Sequence, residues 1–285
     1  VDTIIGLGSA GCAIADRFAA YPQYKILKLD AGLKGENCYS LPKRSDHESY
    51  DRGNFRGLGK FLKQASGQVL FVLAGSGKVS GATLQILKNI KDHNISILYI
   101  QPDVDLLNER AVLRERVVSG VLQQYARSGV FERMYMVSNL VVEDVIGEVP
   151  LSSYYEAINQ TVVSTFHMIN VFNKTKPEID FSAQPSNPAR ISTLGVVDFE
   201  KNEEKLFFPL DTIADKCYYY AINKDSIEKD GSLFRDIRSQ IKDRRSEDCA
   251  VSYMVHSTSY EENYVYCLAH SKIVQKNYEK VLDTP

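Results

Sequence analysis

Residues 4–15 read IIGLGSAGCAIA. A β-branched start, glycines at 6, 8 and 11, and an apolar pattern carried on by Ile14, Phe18 and Ala19 predict a strand over 3–7, a Gly-rich turn and a helix. A signal-peptide core is the competing account of so apolar a start, but no basic segment precedes it and Asp16 and Arg17 interrupt it. A second strand, YKILKLD, follows at 24–30 and places Asp30 about twenty residues beyond the first glycines. Gly6-Leu7-Gly8-Ser9-Ala10-Gly11 with Asp30 satisfies a dinucleotide fingerprint. Bare backbone approaches a pyrophosphate at the helix N-terminus, and the acid receives a ribose hydroxyl. Tight turns of any α/β protein explain the same glycines.

Outward from this stretch, 31–67 is polar and weakly periodic. It is followed by a strand QVLFVLA (68–74), a second Gly-rich turn (75–81), a helix over 82–91 and a strand ISILYI (95–100). A helix over 105–128 and a strand MYMVSN (134–139) come next. Strands alternating with helices imply parallel pairing and a doubly wound sheet covered on both faces. A long helix over 151–172 opens with Ser153-x-x-Glu156, a capping box. Its apolar residues cover more than one stripe, which predicts burial between two structural units. Pro177, Pro185 and Pro188 mark a loop at 173–189, where the domain change is placed. Beyond it lie strands ISTLGVVDF, KLFFPLD and KCYYYAI and a helix over 232–245. SYMVHST and NYVYCLAHS then flank SYEE as a hairpin. The fold class is therefore α/β: a parallel-sheet nucleotide-binding domain (1–150), a long central helix (151–173), a loop and linker (174–190) and a smaller α+β C-terminal domain (191–285).

Composition narrows the function classes. The chain has 285 residues, 34 Lys+Arg against 36 Asp+Glu, a net charge of −2, and 44% hydrophobic and 25% charged residues. This is globular, too well mixed for disorder, and near-neutral enough to argue against a nucleic-acid surface over the whole molecule. No apolar stretch approaches the roughly 20 residues that cross a bilayer, so no direct membrane insertion is expected. Five cysteines without a C-x-x-C pair read as reduced thiols of an intracellular protein, and a cytoplasmic location is expected. The five histidines are dispersed, none at metal-ligand spacing.

The second glycine loop is Ala74-Gly75-Ser76-Gly77-Lys78-Val79-Ser80-Gly81-Ala82. It is not a Walker A loop, because Val72 stands where a glycine is needed and Val79 where Ser or Thr is needed. Two such loops on one sheet suggest two surfaces grasping one polyphosphate. Tyr155 and Asn159 lie one helical turn apart, so a ring can stack on a purine while the amide bonds its edge; core packing is the alternative for Tyr155. Asn139 closes a strand at the sheet edge where open α/β sheets bind ligands, though a strand-end Asn is also a common turn residue. Cys12 follows the first loop and either touches a nucleotide or is a small buried residue.

Taken in order, these segments resemble the tubulin/FtsZ superfamily over nearly the whole chain, in the manner of a divergent FtsZ-like or phage or plasmid tubulin-like protein. IIGLGSAGCAIADRF is similar to that family's first phosphate and base loop, KLDAGLK to its second-strand exit, and VLFVLAGSGKVSGA to its signature loop. MYMVSN is similar to the strand ending in a characteristic Asn, YEAIN to the guanine-holding helix segment, and PEIDFSAQ to the hydrolysis-activating loop. The resemblance implies GTP or GDP as cofactor, with Mg2+ as a possible companion, and head-to-tail filaments of the chain itself. It implies nucleotide contacts from Gly6, Gly8, Ser9, Gly11, Cys12, Asp30, Gly75, Gly77, Lys78, Ser80, Gly81, Arg110, Asn139, Tyr155 and Asn159. Arg110 matches the family's phosphate-side Arg; a solvated helix charge is its alternative.

Two departures bear on hydrolysis. Lys78-Val79-Ser80 interrupts what is in the family a nearly continuous glycine run, and Lys78 either supplies a point charge to phosphate or is solvated. In the activating loop Asp180 fits the first acidic position, Glu178 replaces an Asn, and Ala183 stands at the second acidic position. Asp180 and Glu178 are thus the catalytic candidates of a weak or lost GTPase. A scaffold that kept the fold without hydrolysis is the second reading, and a dinucleotide-dependent oxidoreductase the third.

Overall fold

The structure, a computed structural model, describes residues 1–275; the last ten residues of the expected 191–285 segment lie outside it. The strands and helices in chain order are β1 (Thr3–Leu7), α1 (Gly8–Phe18), β2 (Lys25–Ala31), β3 (Cys38–Leu41), α2 (His47–Asp51), α3 (Leu58–Leu62), β4 (Val69–Leu73), α4 (Thr83–Asn89), β5 (Ile95–Gln101), α5 (Glu109–Arg127), β6 (Arg133–Ser138), α6 (Asn139–Ile146) and α7 (Tyr154–Phe172). The second half adds β7 (Ile179–Phe181), β8 (Ile191–Asp198), β9 (Glu203–Leu206), β10 (Asp215–Asn223), α8 (Lys224–Lys229), α9 (Leu233–Arg244), β11 (Ala250–Thr258) and β12 (Tyr264–Ser271).

One sheet runs β3-β2-β1-β4-β5-β6-β8-β12-β10-β11-β7, with β9 on β8. From β3 to β6 every pairing is parallel. Every residue of β4 and β5 is buried, as expected of strands covered on both faces. The join to the second half is narrow: β6 pairs β8 through Met134–Ile191 and Tyr135–Ser192.

Helix α7 holds the two halves together. Ile158, Val162, Phe166 and Ile169 pack in one cluster with Ile4, Phe18 and Val72 of the first half and Leu194, Tyr219 and Leu268 of the second. That is the double-sided burial its apolar pattern predicts. The opposite face of the first half is covered by α2 to α5, and that of the second by α9 through Leu233, Ile237 and Ile241.

Several local expectations are corrected. The capping box does not form. A 3-10 turn over Leu151–Ser153 precedes α7, so Ser153 is not extended and its hydroxyl donates to Pro150 O at 3.2 Å, while Glu156 pairs with Arg17 at 2.7 Å. The final hairpin does not form either. β10 lies between β11 and β12, parallel to the first and antiparallel to the second. Cys217–Ile222 of β10 are buried throughout, and an interior position covers both of its apolar faces. The helix expected over 82–91 is α4, shortened by a 3-10 turn over Lys78–Ala82. The weakly periodic 31–67 region contains β3, α2 and α3, and α6 and α8 were not legible. These elements are short, and periodicity needs length to show.

Candidate functional site

The carboxyl ends of β1, β4, β5 and β6 form one edge of the sheet, and the loops leaving them carry the candidate residues. Each glycine has a separate reason. A Cβ on Gly6 would lie 2.4 Å from Gly11 O, and one on Gly11 would lie 2.3 Å from Val72 O. Those two glycines let α1 pack against β1 and β4. Gly8 has φ +71 and nothing within 4 Å of a built Cβ, so it shapes the turn and faces open space. Helix α1 starts there without a capping side chain and without an acid in its first turn, leaving its first N–H groups directed at that space. Ser9 is exposed beside them.

Cys12 faces inward. Its Sγ lies 3.6 Å from Gly6 O and 3.7 Å from Leu29 O, and burial pushes the thiol up to about 12. It is a neutral packing residue rather than a nucleophile. At the end of β2, Asp30 is half-buried and its Oδ1 accepts the Ala31 N–H at 2.7 Å.

The second loop is stapled by side chains. Ser80 is buried, with Oγ 2.7 Å from Gly75 O and 2.6 Å from Gly77 O, so its hydroxyl is engaged with the loop's own carbonyls. Arg114 of α5 donates from Nε to Ser76 O at 2.8 Å, a contact no sequence signal marks. Gly75 is required by packing, since a Cβ would lie 2.1 Å from the Tyr99 hydroxyl, and Gly81 by its approach to His47 O at 2.2 Å. Tyr99 in turn donates to the buried Glu115 at 3.0 Å, and burial pushes the Glu115 carboxyl upward. Gly77 alone among the three faces open space. Of the intruding Lys78-Val79-Ser80, Val79 packs against the core, Ser80 is buried and only Lys78 projects outward.

The base-side candidates stand on α6 and α7, which pack together. Tyr155 is 63% exposed, which excludes the core-packing account; its ring meets Tyr154 edge-on at 5.1 Å. Asn159 lies half-buried one turn further along α7. Asn139 opens α6, and its Oδ1 is buried without a hydrogen-bond partner, an expensive condition unless a ligand relieves it. Glu143, one turn on, accepts the Tyr154 hydroxyl at 2.5 Å and ties α6 to α7. Arg110 is exposed in the first turn of α5, whose cap is Asn108 accepting Ala111 N–H at 3.0 Å.

Asp180 and Glu178 are elsewhere. They lie beyond the far end of α7, whose 19 residues span about 28 Å. Asp180 is exposed, held ionised below the usual carboxylate range because it accepts from the Ser182 hydroxyl and N–H (2.5 and 2.9 Å). Glu178 is exposed and its N–H donates to Val255 O at 2.8 Å; Ala183 is exposed nearby. Among the described residues no three His, Cys, Asp or Glu side chains gather as a metal site, and no helix is long and apolar enough to cross a membrane.

Comparison with known proteins places this architecture. No family model matches the sequence, and no curated protein matches it. Solved structures do. A GTPγS-form protofilament of TubZ from Bacillus thuringiensis serovar israelensis superposes with a TM-score of 0.71 at 17% identity, covering 94% of this chain and 86% of that one. An empty FtsZ dimer from M. jannaschii gives 0.70 at 11% identity over 99% and 94%. CetZ2 from Haloferax volcanii, a GTPγS-bound protofilament, gives 0.66 at 14% identity over 94% and 92%. The chain has the tubulin/FtsZ-like fold.

Proposed function

We propose that the protein binds a guanine nucleotide across the two glycine loops and associates head to tail into filaments, with slow or lost GTP hydrolysis. The observation that carries this reading is the separation of its parts along α7. Phosphate-facing backbone and an exposed aromatic lie at one end and the activating acids at the other, so a bound nucleotide meets Asp180 only from a second copy. The residues fit the ligand. The uncapped start of α1 and the open faces of Gly8 and Gly77 receive phosphate, with Lys78 and Arg110 as nearby cations. Tyr155 offers its face to the purine, while Asn159 and the orphaned Oδ1 of Asn139 meet the base edge. Ser80 and Arg114 hold the second loop in place, and Cys12 packs beneath the first. Any magnesium ion would take most of its ligands from phosphate oxygens and water.

Hydrolysis requires a carboxylate to orient water, and Asp180 is ionised and exposed for that role. Glu178 stands two residues away, and Ala183 offers no second acid, which supports the scaffold reading as the alternative. Bound nucleotide identified by mass in the purified protein separates these readings from a dinucleotide enzyme. Asn159→Leu is expected to weaken GTP binding tenfold or more while leaving the ligand-free melting temperature within about 2 °C. Unchanged GTP affinity, or preferential NAD binding, rejects the assignment.

A further inference from the structure

We infer that a row of buried polar side chains on α5 positions the second glycine loop and ties it to the chain leaving β12, a role that rests on the nucleotide binding proposed above. Glu115, Ser119 and Gln123 recur every fourth residue, so they share one face of the helix, and all three are buried. Val118, Leu122 and Ala126 bury apolar groups beside them. A buried polar row costs free energy that apolar side chains of the same size would not, unless each member finds a directional partner. Here each does, and the partners at the two ends of the row belong to different halves of the molecule.

At the loop end, Tyr99 of β5 is wholly buried and donates to Glu115 Oε1 at 3.0 Å. The Gly75 backbone and the Ser119 side chain bear on the same phenol oxygen, and a Cβ on Gly75 would lie 2.1 Å from it. Arg114, next to Glu115, donates to Ser76 O at 2.8 Å, so adjacent residues of α5 hold adjacent residues of the loop. At the other end, Gln123 Nε2 donates to Ser119 Oγ at 3.2 Å, and Gln123 Oε1 accepts the Gln275 N–H at 2.7 Å. Gln275 is buried as well. Its Oε1 accepts the Asp211 N–H at 2.6 Å, and its Nε2 donates to Ser271 Oγ, at the end of β12, at 3.0 Å. From Gly75 to Ser271 the polar contacts form one continuous buried run.

Hydrogen bonds are directional, and these are mounted on a single helix, with Glu115 and Gln123 about 12 Å apart along its axis. A shift of Gly75 toward a bound phosphate therefore changes the geometry at Tyr99 and, through Ser119 and Gln123, at the Gln275 amide. The apolar packing around α7 is non-directional, so it joins the two halves without fixing this register. Linkage makes the effect mutual: the factor by which GTP tightens the seating of Gln275 is the factor by which that seating tightens GTP.

The test uses the full chain, with GTP affinity read by calorimetric titration of the dilute monomer. Gln123→Met keeps the bulk of the side chain and removes both of its hydrogen bonds, and it is expected to weaken GTP binding at least fivefold. Tyr99→Phe should cause a similar loss. The double variant should bind no more than about twofold more weakly than the weaker single one, because either change breaks the same run, whereas independent damage multiplies. Hydrogen exchange supplies the reciprocal readout. GTP should slow exchange over 271–275 at least threefold in the wild type and leave it unchanged in Gln123→Met, an effect that a merely structural role does not produce. Unchanged GTP affinity in folded Gln123→Met, multiplied losses in the double variant, or no protection of 271–275 by GTP in the wild type overturns the positioning role and leaves nucleotide binding standing. The wild-type exchange result decides even where a variant fails to fold. A wild type that binds no GTP overturns the nucleotide reading itself, and this role with it.

Discussion

The two glycine loops look alike in sequence and are built differently. The first is backbone: Gly6 and Gly11 bring α1 against β1 and β4, and no side chain caps the helix that opens above them. The second is held by side chains, with Ser80 bonded to two of its own carbonyls and Arg114 to a third. In both, most glycines answer to packing, and one in each, Gly8 and Gly77, borders open space. A glycine-rich loop is thus not by itself a phosphate site; the glycines whose absent Cβ would meet nothing are the candidates.

The largest test of that contrast is Gly11→Ala. Its Cβ would stand 2.3 Å from the carbonyl oxygen of a fully buried strand, Val72 O, which has no room to yield. Unfolding by denaturant should show a loss of about 3 kcal/mol or more. A loss below about 1 kcal/mol would mean that α1 can slide away from β4 and that the first loop is not locked by packing.

Ser80→Ala comes next. It removes the hydroxyl bonded to the buried Gly75 carbonyl, while Gly77 O keeps the residue 80 N–H at 3.2 Å, and should cost roughly 1–3 kcal/mol in the same measurement. Ser9→Ala, at the corresponding edge of the first loop, should change stability by no more than about 0.5 kcal/mol, because Ser9 is exposed. Equal effects at the two serines would erase the distinction between a backbone loop and a stapled one.

Gly77→Ala isolates binding from folding. With nothing within 4 Å of the added methyl, ligand-free stability should move by less than about 0.5 kcal/mol, while GTP affinity falls several-fold by calorimetric titration. The smallest effect is expected at Cys12, whose thiol is raised to about 12 by burial. In native protein at pH 8 it should remain unlabelled by a thiol reagent long after the partly exposed Cys38 and Cys249 have reacted. Rapid labelling of Cys12 would show that the first loop opens.

Legibility followed element length and the sidedness of burial. β4 and β5 read as apolar runs because both of their faces are covered, and α7 announced its position between two units by apolar residues on more than one stripe. Among the site candidates the sequence placed Tyr155 one turn from Asn159 and Asn139 at a strand's end, with two uses open for each of Tyr155 and Asn139. Exposure decided only that Tyr155 does not pack in the core. Contacts that join distant segments were not legible. Arg114 reaches Ser76 across 38 positions, and Tyr99 reaches Glu115 across 16. Neither pair carries a local pattern.

By itself the amino-acid sequence determined the alternating strands and helices of the first half, the long amphipathic span of α7 and the order of the loop-borne candidates. Each of these is written in short-range periodicity and in turn chemistry. Tertiary structure alone decided that β10 separates β11 from β12, that Ser80 faces inward while Tyr155 faces out, and that Asp180 lines a cavity with Val1 and Gln68, at the amino ends of the strands whose carboxyl ends carry the glycine loops. Strand neighbours and side-chain exposure depend on what the rest of the chain covers. An apolar strand such as β10 takes the position where both faces are buried, whatever segments stand next to it in sequence.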